Sequence, residues 1–92
     1  MNADQHALIG QFLASLHIER RLSPHTASAY QRDLQALAAW CESQHIDSWS
    51  ALDTQHVRLF AAASHRGGLS PRSIQRRLSA VRSFAEWLIG HG

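Results

Sequence analysis

Residues 22–26 read Leu-Ser-Pro-His-Thr, and residues 69–73 read Leu-Ser-Pro-Arg-Ser. A serine followed by proline is typical of a helix start, because the serine side chain can cap the helix and proline fits its first turn. Behind each start, apolar residues recur every three or four positions, the period of an amphipathic helix. The two stretches therefore predict two long helices of related design. Capped amphipathic helices also resemble one another by necessity, so that alternative to an internal repeat stays open.

The same periodicity predicts two further helices. The four helices are expected to extend from about Asp4 to Arg21, from about Pro24 to Gln44, from a cap at Asp53 or Thr54 to Gly67-Gly68, and from Pro71 onward. Trp49, in the polar loop between the second and third helices, is expected to pack that loop against the bundle. Nothing alternates with period two over a useful length, so no strand is predicted. The fold class is all-α, a bundle of two helical hairpins.

Composition excludes several classes of protein. The chain has 92 residues, of which 45% are hydrophobic, which is typical of one small globular domain. No apolar run is long enough for a membrane span, and the N-terminus lacks the pattern of a signal peptide. The single cysteine, Cys41, excludes an internal disulfide and fits a reducing cytoplasm.

The net charge of +2 is unevenly distributed along the chain. Residues 1–53 carry three arginines and six acids, whereas residues 54–85 carry six arginines and no acid. All nine basic residues are arginines, whose planar guanidinium suits phosphate recognition, although codon usage alone could favour arginine over lysine. A merely solvated helix face would mix both signs of charge, so the acid-free segment favours nucleic-acid binding.

A helical wheel separates the faces of the second and fourth helices. The predicted core stripes comprise Ala27, Tyr30, Leu34, Leu37, Ala38 and Cys41 on the second helix, and Ile74, Leu78, Val81, Ala85 and Leu88 on the fourth. The opposite faces carry Arg72, Arg76, Ser79 and Ser83 on the fourth helix, and His25, Ser28 and Arg32 on the second, with Thr26 at its N-terminal edge. Arginines, serine hydroxyls and helix N-termini can all bind phosphate, so these faces are candidates for contact with duplex DNA. A polar face chosen for solubility and helix propensity remains the alternative for the second helix.

Residues for catalysis or metal binding are few. The seven histidines are scattered, and no metal-ligand motif or glycine-rich phosphate loop occurs. Cys41 and His45 share a helical face, but two ligands do not complete a structural zinc site. Cys41 and Tyr30 both lie on the predicted core stripe, where packing is the expected role. We therefore predict no active site, no cofactor, no metal and no small-molecule substrate.

Two longer motifs resemble a known family. Residues 19–26, Glu-Arg-Arg-Leu-Ser-Pro-His-Thr, and residues 30–34, Tyr-Gln-Arg-Asp-Leu, resemble the opening of the core-binding domain of tyrosine recombinases, the relatives of phage integrases. Residues 77–84, Arg-Leu-Ser-Ala-Val-Arg-Ser-Phe, followed by Glu86-Trp87-Leu88, resemble the last major helix of that domain. The resemblance covers about residues 5–90 and is closest to the Xer recombinases of the XerC type.

The resemblance implies a four-helix orthogonal bundle, the SAM-like fold, that covers one face of duplex DNA with its second and fourth helices at the major groove. Residues 1–92 would be a single N-terminal domain, and the C-terminal domain with the catalytic residues would be absent from this chain. The residues implied as DNA contacts are His25, Thr26, Ser28, Arg32, Arg72, Ser73, Arg76, Ser79, Arg82 and Ser83. Tyr30 matches a packing position and not the tyrosine nucleophile.

The implied role of the full protein is resolution of chromosome dimers at a short recombination site during cell division, in the cytoplasm. Its partners would be duplex DNA, a XerD-type recombinase and a septal DNA translocase. Two other functions stay open. One is a helical protein–protein interaction module that uses Trp40 or Trp87, and the other is a DNA-binding regulator outside the recombinases.

Overall fold

The computed structural model describes residues 1–19 and 22–91. It contains four α-helices, α1 (Ala3–Glu19), α2 (Pro24–Ser43), α3 (Thr54–Arg66) and α4 (Pro71–His91), and a short 3₁₀ helix at Trp49–Ala51. No strand occurs in this described part of the chain, so the all-α fold class is confirmed. The predicted end of the first helix at Arg20 and Arg21 lies outside the described residues.

The starts of α2 and α4 have the same geometry. The Ser23 Oγ accepts a hydrogen bond of 3.2 Å from the backbone N–H of Thr26, and the Ser70 Oγ accepts one of 3.2 Å from that of Ser73. In each pair the two hydroxyls also hydrogen-bond to each other, at 3.0 and 3.1 Å. The predicted serine caps are thus confirmed, because a cap depends only on residues three positions apart.

The third helix begins and ends at the residues that the sequence indicates. The Asp53 carboxylate accepts from the His56 backbone N–H at 2.8 Å, and the His56 Nδ1 accepts from the Asp53 N–H at 3.1 Å. Asp53, and not Thr54, is therefore the cap. At the other end Gly67 is the C-cap, and Gly68 has φ +94°, a conformation that glycine adopts without strain.

The core lies where α2 and α4 pack against each other and against α1 and α3. Its least exposed apolar side chains are Phe12, Leu34, Leu37, Cys41, Ala80 and Phe84. The Phe84 ring lies 5.3 Å from Phe12 and 5.0 Å from Trp49, measured between ring centroids. No helix in the described residues is both long and apolar enough to cross a membrane.

Trp49 fastens the loop between α2 and α3 to α1. Its side chain is buried, and its Nε1–H donates to the Gln5 backbone carbonyl at 2.8 Å. The Trp49 backbone N–H donates to the Gln5 side-chain oxygen at 2.8 Å. The prediction that Trp49 packs this loop on the bundle is confirmed.

The predicted core stripe of α4 was wrong at one edge. Ala85 is exposed, whereas Ala80 and Phe84, which the wheel did not place in the stripe, are almost completely buried. The reason is that α4 packs against three helices, so its buried arc is wider than the predicted stripe. On α2, Ala29 and Asp33 are buried more deeply than the predicted Ala27.

The two stretches that the sequence aligns at an offset of 47 residues share buried positions for part of their length. Leu34 and Leu37 of α2 correspond to Val81 and Phe84 of α4, and all four are buried. The correspondence fails at the next position, where Ala38 is buried and its counterpart Ala85 is exposed, and it resumes at Trp40 and Trp87, which are both half-buried. The two helices thus share their starts and the centre of their buried faces.

Candidate nucleic-acid interface

The ten predicted DNA contacts lie on two helices that pack against each other, and we refer to these ten residues as the α2–α4 face. Those that are exposed are His25, Ser28, Arg32, Arg72 and Arg82. Those that are half-buried are Thr26, Ser73, Arg76, Ser79 and Ser83. The structure therefore exposes half of the set to solvent and leaves the other half partly accessible.

Two of the half-buried hydroxyls have structural partners. Thr26 and Ser73 each bond to the serine that caps their helix. The serine caps use the N–H groups of Thr26 and Ser73, and Pro24 and Pro71 carry no N–H. The N–H groups of His25 and Arg72 are therefore the first-turn donors that the serines do not use. Such donors at a helix start can bind an anion.

A buried carboxylate joins α2 to α4. The side chain of Asp33 on α2 has 0% exposure and is enclosed by arginines of α4. The Arg76 Nε–H donates to its Oδ2 at 2.9 Å, and the Arg76 Nη2–H donates to its Oδ1 at 2.8 Å. This two-bond geometry fixes the guanidinium in the plane of the carboxylate. The hydrogen bonds to Asp33 raise the pKa of Arg76 above its ordinary value, against a smaller opposing effect of burial.

Arg77 reaches the same carboxylate from the inside of the bundle. Its Nε–H donates to the Asp33 Oδ1 at 3.2 Å, and its Nη1–H donates to the Ser64 Oγ at 3.0 Å. Ser64 in turn donates to the Phe60 carbonyl, and the Arg77 guanidinium lies 5.4 Å from the centre of the Phe60 ring. One carboxylate thus ties α2, α3 and α4 together.

This network changes the interpretation of the acid-free segment. No acid lies between residues 54 and 85 in the sequence, yet the fold brings Asp33 of α2 against two of the six arginines there. Sequence reasoning missed this pairing. The signal was available, because Asp33 follows Ala29 by one helical turn and precedes Leu37 by another, so it lies on the buried side of α2.

The five other arginines that the structure describes keep their charge available. Among the described residues no carboxylate forms an ion pair with the exposed Arg32, Arg58, Arg66, Arg72 or Arg82. Three of these belong to the α2–α4 face. The face can therefore attract a polyanion, since an unpaired guanidinium at the surface binds phosphate without first losing an internal partner.

Cys41 and the histidines do not form a site for metal or nucleophilic chemistry in the described part of the chain. Cys41 is completely buried, and that burial raises the pKa of its thiol to about 11, which keeps it protonated at neutral pH. No group of three histidine, cysteine or acidic residues that could hold a metal ion occurs in residues 1–19 and 22–91.

An apolar groove lies between α1, the loop of Trp49 and α4, and none of the ten residues of the α2–α4 face lines it. It has a volume of about 480 Å³, and its lining includes Leu8, Trp49, Leu88 and Ile89. Ile89 is 89% exposed. Trp40 and Trp87, which the sequence offered as partner contacts, are half-buried against core aromatics.

Comparison with known proteins identifies one family and several relatives. Residues 9–92 match the family model described as phage integrase, N-terminal SAM-like domain. Tyrosine recombinase XerC of Xanthomonas campestris pv. campestris strain B100 is 53% identical over 81 residues, which are 88% of this chain and 25% of that protein. Tyrosine recombinase XerC of Xylella fastidiosa strain 9a5c is 49% identical over 85 residues, 92% of this chain and 29% of that protein. The enzyme of the same name from Proteus mirabilis is 46% identical over 84 residues, 91% of this chain and 27% of that protein.

The chain thus spans between a quarter and three-tenths of the length of the curated relatives that it matches. No solved structure matches the chain.

Proposed function

The chain belongs to the family of phage integrase N-terminal SAM-like domains, and from that premise we propose that it binds duplex DNA through the α2–α4 face. It would do so as the DNA-binding domain of a XerC-like site-specific tyrosine recombinase that resolves chromosome dimers at cell division. The observation that carries the proposal is the pair of adjacent, identically capped helices whose outward sides carry unpaired arginines and serines.

The physical argument rests on charge and shape. Arg32, Arg72 and Arg82 are exposed without a described carboxylate partner, so each can neutralise a phosphate and release condensed counterions. Ser28, Ser79 and Ser83 are small donors, which lets the helix backbone approach the duplex closely. A helix of this width fits the major groove, which is about 12 Å wide.

The catalytic step belongs to another part of the recombinase. The matched domain is the N-terminal one, and the alignments cover about a quarter of the relatives. Tyr30 is half-buried among core residues, which suits packing and not nucleophilic attack. We therefore assign to these residues the binding of DNA and not its cleavage, with no cofactor.

The wider context is what the resemblance to the Xer recombinases implies, and it is part of the same proposal. A XerC-like enzyme would act on a recombination site together with a XerD-type recombinase and a septal DNA translocase, in the cytoplasm where the chromosome lies. The chain would supply part of the DNA contact and part of the contact between subunits.

The test is a titration of a fluorescently labelled duplex at about 50 and about 200 mM salt. We expect binding that weakens as salt rises, because arginine–phosphate contacts release counterions. Arg72→Ala should reduce the slope of log affinity against log salt by about one. Arg66→Ala is the matched control, because it removes the same charge from an exposed position on α3 outside the face. Undetectable binding at the lower salt, or equal losses in both variants, would contradict the proposal.

One observation favours a second candidate, a helical protein–protein interaction module. The apolar groove beside Trp49 is large enough to receive side chains of a partner, and one of its lining residues, Ile89, is an exposed apolar side chain. A chain that fails to bind duplexes at low salt, and whose binding of a recombinase partner is lost on Ile89→Asp, would support this candidate over DNA binding.

A further inference from the structure

Asp33 has a feature that packing alone does not require. A carboxylate with 0% exposure is costly to bury unless charged partners compensate it, and an apolar residue of similar size would fill the same space without that cost. Asp33 accepts three hydrogen bonds from two arginines. Two cations around one anion leave one positive charge in excess. The position of that excess charge decides whether the cluster can attract an anion from solvent.

The two arginines differ in exposure. Arg77 is 15% exposed, its Nε bonds to Asp33 and its Nη1 to Ser64, and its Nη2 has no hydrogen-bond partner among the described residues. Arg76 is 38% exposed and bonds to Asp33 through Nε and Nη2 only. The Nη1 of Arg76 has no partner among the described residues. Because Arg76 is the more exposed of the two arginines, the excess charge of the cluster is presented to solvent by its outer edge, in the α2–α4 face.

We propose that Asp33 is the positioning residue for Arg76, and that it holds the free Nη1 edge of this guanidinium ready for a phosphodiester oxygen of the duplex. The inference rests on the proposed function, DNA binding, and names how one of its contacts is prepared. A free arginine side chain loses rotamer freedom when it binds, and this loss weakens binding. Arg76 has lost that freedom already, in the folded chain.

A phosphate fits this position better than a base edge. Because both Nε and Nη2 are held by α2, the Arg76 side chain cannot extend outward from the helix surface. Phosphates line the rims of the groove, whereas base edges lie deeper within it. A guanidinium tethered at the surface between two helices therefore meets the backbone first. Its contribution to affinity should be the same for duplexes of different sequence.

The first experiment uses a substitution for which simple electrostatics and positioning predict opposite changes in the affinity for DNA. Asp33→Asn removes one negative charge, so simple electrostatics predicts tighter binding of DNA. Positioning predicts weaker binding, by roughly two- to tenfold, the range that corresponds to immobilising one side chain. Circular dichroism at the titration temperature establishes that the variant is folded. Tighter binding by a folded Asp33→Asn chain overturns the proposal.

A second pair of variants avoids the buried position. Arg76→Lys keeps the charge but cannot form the two-bond contact with Asp33, whereas Arg72→Lys keeps the charge at an exposed site with no described carboxylate partner. We expect Arg76→Lys to lose roughly two- to tenfold in affinity, equally on two duplexes of unrelated sequence, and Arg72→Lys to lose less. Equal effects overturn the positioning role, and a loss confined to one duplex overturns the phosphate assignment.

A third readout does not depend on DNA. In the free chain, the heteronuclear NOE of the Arg76 Nε–H should approach that of the backbone, and that of Arg72 should be much lower. If the Arg76 side chain is as mobile as that of Arg72, the proposal is overturned even if the chain binds DNA. Absence of DNA binding by the unmodified chain instead refutes the proposed function, and with it the phosphate contact, so the two failures are distinguishable.

Discussion

The stability of the fold should depend more on Asp33 than on any exposed acid. Asp33→Ala leaves Arg77, which is 15% exposed, as a charge without its carboxylate, whereas Arg76 can turn toward water. Removal of one partner of a buried ion pair costs about 3–5 kcal/mol. For a chain of this size, 1 kcal/mol corresponds to roughly 4–8 °C in Tm, so the expected loss is about 12 °C or more.

The assay is urea and thermal denaturation followed by far-UV circular dichroism, with Asp53→Ala as the matched control. Asp53 is 65% exposed and caps α3, so its replacement should cost about 1 kcal/mol. Arg77→Met in the Asp33→Ala background should restore much of the stability, because it removes the uncompensated charge and keeps an apolar contact with Phe60. Equal losses for Asp33→Ala and Asp53→Ala would refute the reasoning.

Three further outcomes follow from single contacts. Hydrogen bonds from His6 at 3.0 Å and from the N-terminal amine at 3.3 Å lower the pKa of Glu42 below its ordinary 4.5. The contribution of Glu42 to stability is therefore present above pH 4.5 and is lost as the pH falls through the lowered pKa. In acid titrations of the unfolding free energy, the stability difference between the unmodified chain and Glu42→Gln should vanish over that range. Cys41, with a pKa of about 11, should resist alkylation at pH 8 and react fully in urea; rapid alkylation of the native chain, read by mass spectrometry, would contradict its burial. Trp49→Phe should cost about 1 kcal/mol in urea denaturation, because the Gln5 carbonyl loses its donor; an unchanged midpoint would show that this bond adds nothing.

The features that could be predicted from the sequence are those set by near neighbours in the chain. The caps at Ser23 and Ser70 depend on contacts with residues three positions away, and the helical pattern depends on residues three or four positions apart. Both therefore follow from local rules. Trp49 was also predictable, because a large aromatic residue in a polar loop has few other roles.

The features that could not be predicted depend on contacts between distant segments. Arg76 lies 43 positions from Asp33 in the chain, and no rule of spacing says which arginine will meet which carboxylate. Ala85 and Ala80 are chemically identical, so only the packing of α4 against three helices decides which of them is buried. The predicted role of the α2–α4 face in DNA binding stays a prediction.

The central claim is the location of the DNA interface, and NMR tests it most directly. Backbone amide shifts of the ¹⁵N-labelled chain should be recorded during titration with a duplex at low salt. The account predicts that the largest changes fall on the outward sides of α2 and α4, around Ser28, Arg32, Arg72 and Ser79. Changes confined to α1 and the loop of Trp49, with α2 and α4 unaffected, would contradict it.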